Sequence, residues 1–150
     1  GLIYSPGFAD RRAPAPFNWA LAEEEGGVAE RQPGGEIYVD YYGRGPVALL
    51  RQLVLLEPGR YQIVAVMTRE GSPGEGLALR AACAGRAEPL ELAAIDGAVG
   101  EKLRHRLTFT VPASGCTAQW IELVGRQADR RIAQQATVTR IDVVRRGAAR

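Results

Sequence analysis

One histidine, two cysteines and nineteen basic side chains, all arginine except Lys102, set the chemistry open to this 150-residue chain. A Ser-His-Asp or Cys-His relay would rest on His105 alone, and no nucleophile motif accompanies it. Gly71-Ser72-Pro73-Gly74 lacks the phosphate-loop pattern and the helix that must follow it. A glycosidase needs two carboxylates across one groove. Glu91 and Glu122 are the strand-borne pair that comes nearest, and exposed acids on strands ordinarily serve solubility. The expectation is a protein that is not an enzyme.

The cysteines and arginines leave alternatives open. Cys83 and Cys116, with a single histidine, cannot make a Cys-rich zinc site. They read as a disulfide or as two buried thiols, and a disulfide would place the domain outside the cytoplasm, in the periplasm, at the cell surface or secreted. Arginine's planar fork suits carboxylate or sulfate ligands. A genome biased towards Arg, Ala and Gly codons gives the same composition.

The elements that must position these groups are short. Alternating apolar runs occupy 36–42, 47–56, 61–68, 76–84, 89–95, 103–111, 116–124 and 136–144, separated by turn signals such as Pro58-Gly59 and Asp96-Gly97. Eight strands at this spacing predict an all-β, antiparallel two-sheet sandwich. Asn18 could cap a helix through Glu25, but Gly26-Gly27 would stop it at once, so this stretch is expected to be an irregular lead-in or a short strand. One polar residue breaks the pattern. Gln52 lies in phase with Leu50, Val54 and Leu56, and a buried amide without a partner costs a few kcal/mol.

Composition narrows the class further. An apolar fraction of 46% with 24% charged residues fits one globular domain over 1–150, and a start at Gly1 rather than Met leads to the expectation that it is an excised or mature part of a larger protein. No apolar run reaches the roughly 20 residues of a membrane helix. A net charge of +2, evenly spread, argues against nucleic acid. The Arg-rich tail from Arg145 to Arg150 is expected to fray.

Ser5-Pro6-Gly7-Phe8 followed by Phe17-Asn18-Trp19 resembles the start of carbohydrate-binding-module-like jelly-roll domains of the galactose-binding-like fold. The Gln52…Pro58-Gly59-x-Tyr61 hairpin resembles their central strands, and Val138-x-x-Ile141-Asp142-Val143 their closing strand. The resemblance implies a jelly roll with 36–42, 136–144, 61–68 and 103–111 in one sheet, and 47–56, 116–124, 76–84 and 89–95 in the other. That order sets Gln119 beside Gln52, so the two amides are expected to pair, and it brings Cys83 towards Cys116. Inward parity gives a core of Ile37, Val39, Tyr41, Leu50, Val54, Leu56, Tyr61, Ile63, Leu77, Leu79, Leu107, Phe109, Ile121, Leu123, Ile141 and Val143, with Trp19 plugging one end and His105 in phase with Leu107. The resemblance also implies a structural calcium. Ala9 stands where its opening acid is expected, leaving Asp10 and Asp142 as the weak candidates and no other cofactor or metal.

Outward parity on the second of these sheets collects Arg51, Arg80, Glu91, Trp120 and Glu122, with Leu49, Leu53 and Leu55 beside them. A ring for a sugar's C–H face and forked donors for hydroxyls or carboxylates make this the first candidate binding face. Trp120 covered by the N-terminal segment or by another domain is the competing expectation. Tyr38, Asp40, Tyr42, Arg104 and Arg106 form the second candidate face. The sequence thus points to a non-catalytic carbohydrate-binding accessory module, with an acidic polysaccharide among the expected ligands, or to a protein-interaction or structural sandwich without sugar affinity.

Overall fold

Residues 1–147 are described by the computed structural model, and none of them is helical. Eleven strands form: β1 (Ala20–Leu21), β2 (Glu23–Glu24), β3 (Gly27–Arg31), β4 (Ile37–Tyr41), β5 (Val47–Val54), β6 (Gly59–Glu70), β7 (Leu77–Cys83), β8 (Glu91–Ala94), β9 (Lys102–Val111), β10 (Gln119–Gly125) and β11 (Gln134–Arg146). They build a five-stranded sheet, β1-β5-β10-β7-β8, and a six-stranded sheet, β2-β3-β4-β11-β6-β9, antiparallel throughout. The eight expected strands are β4 to β11, in the expected neighbour order. The stretch from Ala20 to Glu24 is two short strands, one at the edge of each sheet.

All the expected core positions are buried between the sheets, and Trp19 packs edge-on against Phe8 with its indole N–H donated to the Ser5 carbonyl at 2.9 Å. β3 was not foreseen, because Gly-Val-Ala-Glu-Arg carries little β signal. Its small inward residues have a packing reason. A Cβ on Gly27 would lie 2.9 Å from the Leu49 side chain, which fills that space instead.

Leu49 itself is a correction. The β5–β10 register steps from Leu50 opposite Leu123 to Ala48 opposite Val124, so Leu49 is the extra residue of a bulge. Leu49 and Leu50 therefore both turn inward and are fully buried. Beyond the bulge the expected parity holds, with Leu53 half-buried and Leu55 70% exposed.

The glutamines are buried on adjacent strands but do not pair with each other. Gln52 grips the backbone of Tyr4, accepting its N–H and donating to its carbonyl, both at 2.8 Å. Gln119 accepts the Leu56 N–H at 2.8 Å and donates to the Cys116 carbonyl at 2.7 Å. Each amide acts as a piece of backbone, filling donor and acceptor at a place where no strand continues. At the other end of the chain, β11 runs through Arg145 and Arg146, opposite Tyr61 and Arg60, so fraying does not begin at Arg145. Residues 148–150 of the expected tail lie outside the described residues.

Cys83, the last residue of β7, and Cys116, just ahead of β10, form a disulfide with Cα atoms 5.2 Å apart. It closes a loop of 33 residues, for which the chain-entropy estimate is about 3–4 kcal/mol. Replacing both cysteines by serine should lower the free energy of urea unfolding by that amount. An unchanged urea midpoint would refute it.

Candidate functional site

Central strand β10 supplies the outward residues Trp120 and Glu122, and its neighbours supply the rest by register. Glu122 lies directly opposite Arg51 on β5 and Arg80 on β7, while Trp120 lies opposite Leu53 and Ala82. Glu122 is only 5% exposed, an uncommon position for an outward acid. Arg80 holds it, with Nη1 2.6 Å from Oε1, and the other arm of that guanidinium donates to the Ala87 carbonyl at 2.9 Å. Arg80 thus joins β10 to the β7–β8 turn.

Arg51 is the more exposed and more loosely paired arginine of the row. Its Nη1 stands 4.0 Å from Glu122 Oε2, at the outer limit of an ion pair, and 43% of its side chain is exposed. The guanidinium lies over Trp120, 3.8 Å from the ring centroid, in cation–π contact. Trp120 is half-buried, and Arg51 covers one face of its ring. Two guanidiniums around one carboxylate leave one positive charge in excess within the row, with exposed Glu23 and Glu24 sharing a cleft with Arg51 at its edge. A cleft of about 420 Å³, lined by Ala48, Pro89 and Leu92 as well as Arg80 and Glu122, continues from the row.

Glu91 does not join this group. It stands opposite Ala81, a core residue, and Leu92 is the β8 residue opposite Arg80. The strand begins one residue out of the expected phase, and a four-residue edge strand offers too little pattern to reveal it.

No protein-family profile and no curated protein matches this sequence. Solved structures do. A family 4 carbohydrate-binding module aligns over 96% of this chain and 99% of its own with a TM-score of 0.72 and 12% identity. The TmCBM61 module in complex with β-1,4-galactotriose covers 97% and 98% with a TM-score of 0.56 and 14% identity. A family 16 carbohydrate-binding module covers 79% and 85%, at 0.52 and 18%. The fold is that of carbohydrate-binding modules. Identities this low speak to architecture alone.

The second candidate face is not one group. Tyr38, Asp40 and Tyr42 belong to β4 or its end, Arg104 and Arg106 to β9, and both β11 and β6 lie between those strands. Asp40 instead accepts from Gln135 Nε2 at 3.0 Å across to β11. The two calcium candidates are each paired with an exposed arginine. Arg12 lies 2.7 Å from Asp10 and holds its carboxyl well below the usual range, chiefly by hydrogen bonding. Arg140 lies 3.0 Å from Asp142. Among the described residues, no three acids, histidines or cysteines cluster as a metal site. Arg31 donates to the Phe8 carbonyl at 2.8 Å.

His105 is half-buried on β9, opposite Ala65. Burial pushes its pKa below the ordinary 6.5, Asp96 partly opposes this, and Arg69 adds to it. As pH falls through 6.5 the unfolded chain therefore takes up the proton first, and stability present above that pH is lost until the folded imidazole also protonates. His105→Gln should flatten the pH dependence of unfolding free energy in this window. A slope equal to that of the parent would contradict it. For the row on β10, Glu122→Gln leaves Arg80 without its counter-charge and should cost about 3 kcal/mol, by the measure of a broken buried pair. A thermal midpoint within a degree of the parent would count against a structural role for that acid.

Proposed function

We propose that this chain is a non-catalytic carbohydrate-binding module that holds a polysaccharide on the outer face of the five-stranded sheet, with preference for acidic chains. The observation that carries the reading is the row Arg51–Glu122–Arg80 with Arg51 over Trp120. Buried Glu122 engages Arg80 at 2.6 Å and Arg51 only at 4.0 Å, so Arg51 keeps forked donors for a ligand carboxylate or hydroxyl. Trp120 offers a ring for a sugar's C–H face once Arg51 swings aside. The architecture shared with carbohydrate-binding modules supports the class, and the row supports the preference for negative charge. A Cys83–Cys116 disulfide fits an extracytoplasmic setting, in which the domain would serve as an accessory part of a larger protein.

The competing reading is a protein-docking module. Leu55 is 70% exposed and Phe17 is also exposed, both beside the edge of β5, where the Leu53 N–H donates to the Pro16 carbonyl. These residues flank the row without entering it.

An array of neutral and acidic glycans separates the two. Binding should appear among uronate-containing polysaccharides, and Trp120→Ala should weaken it at least tenfold, about 1.4 kcal/mol. Arg51→Ala should narrow the gap between acidic and neutral chains. Silence across the whole array would sink the carbohydrate reading and leave protein docking.

A further inference from the structure

A second cleft, of about 430 Å³, opens at the end of the sandwich among the β6–β7, β8–β9 and β10–β11 loops. At its base is Arg69, the next-to-last residue of β6, which is only 8% exposed. Its Nη1 donates to the Gly74 carbonyl at 2.9 Å and its Nη2 to the Gly97 carbonyl. These bonds tie the β6–β7 loop to the β8–β9 loop. Among the described residues Arg69 forms no ion pair, and its Nε is the single buried side-chain nitrogen or oxygen with no hydrogen-bond partner.

Two carbonyls satisfy hydrogen bonds but do not neutralise a charge. A neutral donor would staple the loops equally well, whereas a buried cation without an ion-pair partner is costly, and neither Glu75 nor Asp96 on the same lining pairs with Arg69. Elsewhere in this chain a buried charge does have its counter-ion, as Glu122 has Arg80. The rim of the cleft adds a second cation, exposed Arg126, whose N–H is fixed to the Gly76 carbonyl. Gln127 follows it. Glu75 and Asp96 are also exposed on the lining.

We propose that this cleft is a ligand site for a carboxylate carried by a hydroxylated molecule, a sugar acid or a small hydroxy acid, with the carboxylate set against Arg69 and Arg126. The mixture of charges decides the class. Glu75 and Asp96 repel a compact polyanion such as sulfate or phosphate, yet they accept hydroxyl hydrogens, as Gln127 can donate to hydroxyl oxygens. One negative group surrounded by hydroxyls matches that lining. Arg126 also borders the cleft that continues from the Arg80–Glu122 row, so buried Arg69, which lines only this cleft, is what sets the site apart from the Trp120 face.

The test follows the Arg69 Nε–H and the backbone amides of Gly74, Gln127 and Ala128 by NMR during titration with galacturonate trimer, glycerate, galactose and sulfate. Shifts at these resonances with galacturonate or glycerate, and at least tenfold weaker responses to galactose and sulfate, are expected. A stronger response to the trimer identifies a polysaccharide source, and an equal response to glycerate a free hydroxy acid. Arg126→Ala, on the exposed rim, should reduce affinity at least tenfold with the thermal midpoint unchanged. Arg69→Met removes the buried charge at similar size and should abolish the response while the chain stays folded. Trp120→Ala should leave it intact. Equal shifts with galactose and galacturonate, or carboxylate binding that survives both arginine variants, would overturn the site. Unfolding of Arg69→Met together with full carboxylate binding by Arg126→Ala would make Arg69 a loop staple and overturn it as well.

Discussion

A buried polar group must find its complement, and β10 meets this demand on both faces of one strand. Inward, Gln119 closes on the backbone of Leu56 and Cys116. Outward, Glu122 closes on Arg80 and, more loosely, on Arg51. Because β10 is paired on both sides, these requirements fix its register against β5 and β7 together. A slip of one residue would send Glu122 into the core and expose Gln119. The position of Trp120 beside Arg51 follows from the same register.

The two amides also explain how the chain ends are held. Gln52 reaches a segment 48 residues away and holds Tyr4 as a neighbouring strand would. The Pro6 carbonyl then accepts the Ile141 N–H, joining the opening turn to β11 in the other sheet. The N-terminal segment thus stitches across one side of the sandwich, with Phe8 and Trp19 buried beneath it. Tyr41 does a related service at the opposite end. Its ring occupies the space that a Cβ on Gly125 would need, and its hydroxyl donates to the Gly45 carbonyl.

Much of this architecture was legible because period-two alternation survives in long strands. Ile37-x-Val39-x-Tyr41 and Leu107-x-Phe109 each name their buried face without ambiguity. Legibility failed where the pattern was short or interrupted. Gly27–Arg31 contains too few large side chains to read as a strand, and the bulge at Leu49 changes phase with no local marker. Gln52 and Gln119 were correctly placed on adjacent strands, but sequence parity cannot show that nearby backbone outbids a neighbouring amide. The row at Glu122 was visible from parity, except for Glu91 on its short edge strand. Arg69 gave no warning at all, because an arginine at a strand end is ordinarily solvated, and only the three loops closing around it make its charge conspicuous.

The placement of Arg104 and Arg106 has a meaning apart from ligands. They lie with Lys102 on β9, the outermost strand of the six-stranded sheet, whose far side has no partner strand. A ten-residue edge with free backbone donors and acceptors invites another chain to add itself. Three exposed cations at every second position make that addition costly wherever two such edges meet over 102–106, since like charges then lie side by side. Half of the longest open seam among the described residues thus carries a row of like charge that a second copy would have to match with acids.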